Sequence, residues 1–177
     1  MSGRLIANAV VFQVGWWVAV LGVARGDQWL SPILVGCLVC LNIGFLADPL
    51  PAIRVVLTVG LFGSALDSVL SSAGLLQFVS SPFGSVWCPP WLMALWCLFA
   101  TTLTGSLRWL AGRTWTSALV GAICGPLSYY AGHHLGALRL GPNQLLSLLV
   151  LSLLWAILLP GLLHWTIGSS RTGEAGS

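Results

Sequence analysis

The chain has no lysine and one glutamate, and charged residues make up only 6% of it. A soluble globular domain carries roughly a quarter. No strongly polar stretch is long enough to form such a domain, which excludes a soluble enzyme or soluble binding module as the body of the 177 residues. Its seven arginines are scattered and form no clustered basic face, so no nucleic-acid partner is expected. Catalytic signatures are missing as well. There is no H-E-x-x-H, no G-x-S-x-G elbow and no P-loop. An intramembrane aspartyl protease needs a second acid inside a span, and Asp67 has none. No cofactor or metal is expected, and the enzyme class is the weakest reading.

What is present is apolar. Hydrophobic residues are 57% of the chain and mean hydropathy is +0.94. Breakers and charges cut it into six stretches, 5–23, 30–46, 53–72, 91–110, 115–138 and 144–165, each near the roughly 20 residues that cross a bilayer. The expected fold is an all-α bundle of six transmembrane helices in a single domain, 1–167, followed by a disordered polar tail, 168–177. The first stretch runs to Arg25-Gly26-Asp27 without a small-x-small cleavage site, so it reads as a retained span. Turn chemistry marks the connections, as at Asp48-Pro49-Leu50-Pro51 and Gly141-Pro142-Asn143. The connection 74–90 carries no charge, and it reads either as a re-entrant or capping loop or as a plain surface loop.

Six spans put both termini on one side with Arg4, Arg54, Arg108, Arg113 and Arg171, against Arg25 and Arg139 on the other. The positive-inside rule places that richer side in the cytoplasm. Trp29, Trp87 and Trp91 then mark the outer interface and Trp109, Trp115 and Trp165 the inner one, while Trp16, Trp17, Trp96 and Trp155 read as packing. Of the five cysteines, four lie in apolar runs and read as small apolar residues packed between helices. Cys37-x-x-Cys40 lacks the βαβ context of a redox motif, and Cys88, beside Pro89-Pro90, leaves a disulfide open.

Asp67 is the one acid within a span-length apolar run, where a carboxylate must be paired, protonated or hydrated. Topology gathers it at the outer end with Tyr129, His133, His134, Arg25, Asp27 and Arg139. That set is a candidate ligand-binding or proton-coupled site; the alternative is a structural ion pair bracing the bundle. Adjacent histidines point about 100° apart on a helix, which disfavours joint metal ligation. A weaker polar set, Thr101, Thr104 and Arg108, falls at the inner end. Small residues recur at helical spacing, most clearly Gly121, Gly125, Gly132 and Gly136, and mark helix-packing faces.

The phrases Phe12-Gln13-Val14-Gly15-Trp16, Trp91 to Trp96 with Phe99 to Leu103, Leu107-Arg108-Trp109-Leu110 and Gly125-Pro126-Leu127-Ser128-Tyr129 with Ala131-Gly132 together resemble a family of small bacterial inner-membrane proteins of unknown function. The resemblance covers nearly the whole chain. It implies a multi-pass protein of the bacterial inner (cytoplasmic) membrane and no activity. Gly63-x-x-x-Asp67 followed by Gly74-Leu75 is loosely similar to the rod-shape membrane protein and to the substrate-binding subunits of energy-coupling-factor transporters, though the later glycine spacing departs from theirs. The leading expectation is a non-enzymatic binding or transport subunit for a small or lipid-like molecule, with an outward-facing polar pocket around Asp67 and His133. The alternatives are a structural or accessory subunit of a membrane complex, and a membrane enzyme acting on lipid. Expected partners are the lipid bilayer and a membrane or energising subunit.

Overall fold

A computed structural model describes residues 3–44, 49–79 and 81–174, with backbone alone for 169–174. The Asp48 turn, the end of the second stretch at Leu46, the side chain of Arg171 and the last three residues lie outside the described residues. The elements are α1 (Gly3–Ala24), α2 (Leu30–Gly44), α3 (Leu50–Ser72), β1 (Leu76–Phe78), α4 (Pro90–Thr104), α5 (Thr114–His134), β2 (Leu138–Leu140) and α6 (Gln144–Glu174), with a 3-10 turn at Arg108–Leu110 before α5. Prolines sit in the first turn of α3 and α4, where a missing N–H costs nothing and φ is already helical.

Three helices, α1, α3 and α6 up to Gly168, are long and apolar enough to cross a membrane, and α2 and α4 are shorter apolar helices. The protein is a membrane protein, and its surface has the matching character. Leu145, Leu149, Leu153 and Ile157 follow one another every four residues along α6 and are all exposed, Ile157 by 77%. Water would not tolerate such a stripe, whereas lipid tails solvate it.

Several expectations are corrected. The connections 73–89 and 135–143 are not independent loops: β1 and β2 pair antiparallel, with Gln77 opposite Arg139. Residues 81–89 of the first connection fold back on α3, where Ser71 Oγ donates to Ser85 O (2.8 Å) and Cys88 N to Ser68 Oγ (3.0 Å). The connection forms a cap, one of the forms expected of it, rather than a plain surface loop; the strand is unexpected, because three residues are too few to leave a period in the sequence. Helix α4 stops at Thr104, so Arg108 stands on the 3-10 turn rather than inside a span. Helix α6 continues to Glu174, into the segment expected to be an irregular tail; with no proline after Pro160, each added residue extends an existing ladder at little cost. Trp91, expected at the interface, is 2% exposed, while Trp17, expected to pack, is exposed. All five cysteines are free.

Proline inside α5 shows how the bundle repairs its own backbone. Pro126 has no N–H to give the carbonyl of Ala122, and Ser152 Oγ on α6 donates to that oxygen instead, at 2.9 Å. A side-chain hydroxyl is the usual remedy where no water is available. Near the start of α1, Asn8 Nδ2 donates to Asn42 Oδ1 on α2 (3.1 Å) and to Thr101 Oγ1 on α4 (3.3 Å), and its Oδ1 accepts from Ser106 N (2.9 Å). This node fixes the start of α1 beside the ends of α2 and α4, as alternating helix directions require. The ribbon β1–β2 lies at the other end.

The structure also contains a repeat. Helices α1, α3 and α5 each carry an inner glycine, Gly15, Gly63 and Gly125, and eleven residues later a glycine with left-handed φ, Gly26, Gly74 and Gly136. Around each of the later glycines the chain closes its helix with the same six-residue backbone bond: Asp27 N to Gly22 O, Leu75 N to Leu70 O and Ala137 N to Gly132 O. For the second and third units the offset of 62 residues continues into the strands, so Gln77 meets its own counterpart, Arg139, at the centre of the ribbon. The units α3–β1–α4 and α5–β2–α6 therefore share one helix–strand–helix design.

Candidate functional site

The two hairpins meet in a stack of indoles. On α3, Gly63 has no side chain, and the Trp96 ring of α4 fills that space so closely that a Cβ at 63 would collide with it. One helical turn later, on the same face, stands Asp67. On α5, Gly125 accommodates the Trp155 ring of α6 in the same way, and one turn later stands Tyr129. Trp96 and Trp155 then lie face to face, 5.4 Å between centroids and 5° between planes, with Phe99 edge-on to both. Offset aromatic contacts contribute about 0.5–1.5 kcal/mol each beyond the area they bury.

Asp67 is fully buried and closes this stack. Trp96 Nε1 donates to its Oδ2 at 2.6 Å and Tyr129 O–H to its Oδ1 at 2.7 Å. The carboxylate thus ties α3, α4 and α5 together with an indole and a phenol, where a brace by arginine or histidine was the expected alternative. Trp155 Nε1, the counterpart of the Trp96 donor, is buried near the Tyr129 phenol without a well-formed hydrogen bond, and Trp91 Nε1 is buried without a hydrogen-bond partner.

In front of the stack runs a cleft of about 690 Å³, within the roughly 300–1,000 Å³ of ligand sites. Helix α1 forms one wall, with Ile6, Val10, Gln13 and Trp16, and α5 the other, with Val120, Cys124, Ser128 and Tyr129; Trp96 and Phe99 of α4 and Trp155 and Leu159 of α6 form the floor. Ile6, Val10 and Cys124 are exposed, so the cleft is open along its side. Trp16 Nε1 donates to Ser128 Oγ across it at 2.9 Å. Tyr129 and Trp96 line the cleft, and Asp67 lies behind them, outside the lining.

The other residues expected around Asp67 lie elsewhere. His133 is half-buried, with Nε2 3.2 Å from Gln144 Nε2, and His134 is exposed, edge-on to Tyr130. Asp27 caps α2, accepting from the backbone N–H groups of Trp29, Leu30 and Ser31. Desolvation pushes its carboxyl upward, and those donors outweigh it and hold the group below the usual carboxylate range. Arg25 and Arg139 are exposed, Arg139 on the strand face opposite Leu138. At the other end, Thr101 belongs to the Asn8 node, Thr104 donates to Thr101 O, and Arg108 is exposed.

Of the packing glycines, Gly121 and Gly125 meet Trp155, Gly132 is in ordinary contact with Leu138, and Gly136 is the turn glycine that ends α5. Sequence reasoning placed Trp96 and Trp155 in packing without joining them to the Asp67 site, and it did not single out the Asn8 node. The signal available for the first two was their match to a glycine one helix earlier.

A family model described as a protein of unknown function (DUF2878) matches residues 5–161. The chain belongs to that family. No curated protein and no solved structure matches it. The matched span contains Asp67, its two donors, the stacked indoles and every residue that lines the cleft.

Proposed function

We propose that the protein is a six-span protein of the bacterial inner membrane, both ends cytoplasmic, that binds a lipid-like molecule in the cleft between α1 and α5. It acts as a non-enzymatic binding or transport subunit beside an energising or membrane partner. The observation that carries this reading is the cleft itself: aromatic and aliphatic, open sideways where lipid surrounds the helices, and floored by a hydrogen-bonded aromatic cluster that presets its shape. A hydrophobic tail enters such a site from the bilayer without crossing water. Asp67 serves here by orienting Trp96 and Tyr129, which face the occupant. Arginine bias supports the orientation, because the Asn8 end carries Arg4, Arg54, Arg108 and Arg113.

Two measurements test the proposal. Native mass spectrometry of the protein in mild detergent should show bound lipid, and Cys124→Trp, which fills the cleft from an exposed lining position, should lose it with an unchanged melting temperature. Equal lipid retention by both proteins would rule out the cleft as the site. Reporter fusions at Ser177 and near Pro142 should read cytoplasmic and periplasmic respectively. A periplasmic C-terminus would overturn the topology.

A further inference from the structure

The cleft is apolar along its length but electrically different at its two ends. Its lining on α1 runs from Leu5 to Val20 and on α5 from Val120 to Gly132. At 1.5 Å per residue those stretches span roughly 22 and 18 Å, longer than the half of a hydrocarbon core of about 30 Å that one leaflet supplies. At the Asn8 end the lining reaches Ser106, Leu107 and Trp109. Arg113 lies over the Trp109 ring, its guanidinium carbon 5.7 Å from the centroid. Arg108 stands between the lining residues Leu107 and Trp109. Both arginines are exposed. The two acidic side chains described, Asp27 and Asp67, belong to the ribbon half: Asp67 is five residues before the end of α3, and Asp27 caps α2 just after α1 ends.

We infer that the occupant is a membrane phospholipid with an anionic headgroup, one tail lying in the cleft and its phosphate at Arg108 and Arg113. This rests on the lipid-binding reading above and names its substrate class. A guanidinium matches a phosphate with paired N–H donors, and stacking on Trp109 holds that of Arg113 at the mouth without consuming them. The ribbon end also carries exposed arginines, Arg25 and Arg139, but Arg139 lies on the strand face opposite the lining residue Leu138 and Asp67 stands behind Tyr129, so the reverse orientation is disfavoured. The charge pattern therefore sets which end of the lipid enters where.

The test uses the full chain, stripped of lipid in detergent and titrated with dioleoyl phosphatidylglycerol or with dioleoylglycerol, which has the same tails and no phosphate. Two arginines near an anionic group favour it by roughly 10- to 30-fold, and the wild type should show that preference. Arg108→Gln/Arg113→Gln should bring the ratio close to one while dioleoylglycerol binding stays as it was, and Cys124→Trp should abolish both. Val120→Trp is the second cleft-filling variant should Cys124→Trp accumulate poorly. An unchanged preference in the double arginine variant overturns the inference. So does a preference that survives filling of the cleft, because the arginines would then be gathering lipid outside it. Equal binding of the two lipids, blocked by Cys124→Trp, defeats this inference and leaves the lipid-binding function standing. Binding of neither lipid defeats both.

Discussion

Gly125→Leu should destabilise the protein by about 1–3 kcal/mol or more, the range for forcing extra methylenes into a packed interior. The side chain would have to occupy the space of the Trp155 ring, and the nearest atoms are the indole and its Cβ. That ring is pinned from its other face by Trp96, which Gly63 and Asp67 fix in turn. Relief can come only by separating α5 from α6, and in a bilayer close packing is itself the main attraction between helices. Leu119→Phe is the control: Leu119 is 62% exposed on the lipid side of the same helix. Thermal unfolding in detergent, with yield of monodisperse protein, compares the two. Equal stability of both variants would show that the α5–α6 contact is not where the bundle is held.

Asp67→Leu should be more damaging than Asp67→Asn, and the difference separates bracing from function. Leucine leaves two donors, Trp96 N–H and Tyr129 O–H, buried without an acceptor. At about 1–3 kcal/mol for each orphaned group the cost is about 2–6 kcal/mol. Asparagine keeps one carbonyl oxygen, and the Tyr129 hydroxyl can turn to accept from its amide. The expected loss is then one hydrogen bond to a charged group, about 1.5–3 kcal/mol. Asp67→Asn should accumulate and remain monodisperse, yet hold lipid less well, because Trp96 and Tyr129 are no longer set by the same acceptor. Melting temperature and bound lipid, read on the same preparations, check both halves. A leucine variant as stable as wild type would mean that the carboxylate contributes nothing to holding α3, α4 and α5 together.

Composition alone determined that this is a helical membrane protein. An uncharged apolar run has few stable conformations in lipid besides a helix that pairs its own backbone. Position along the chain also singled out Asp67, because a lone acid in such a run must be accommodated somehow. Spacing marked Gly121 and Gly125 as packing residues.

Tertiary structure decided what accommodates the acid. Its donors, Trp96 and Tyr129, are 29 and 62 residues away in sequence, and helical periodicity says which face a residue occupies but not which helix lies opposite. His133, His134, Arg25, Asp27 and Arg139 share an end of the bundle with Asp67, yet sharing an end is weaker than sharing a face. The ribbon escaped because three residues carry no period, and its pairing depends on how the two hairpins meet. The cleft is the product of helix placement alone: α1 packs on α2 and α4, α5 packs on α6, and the space left between α1 and α5 belongs to no segment of sequence.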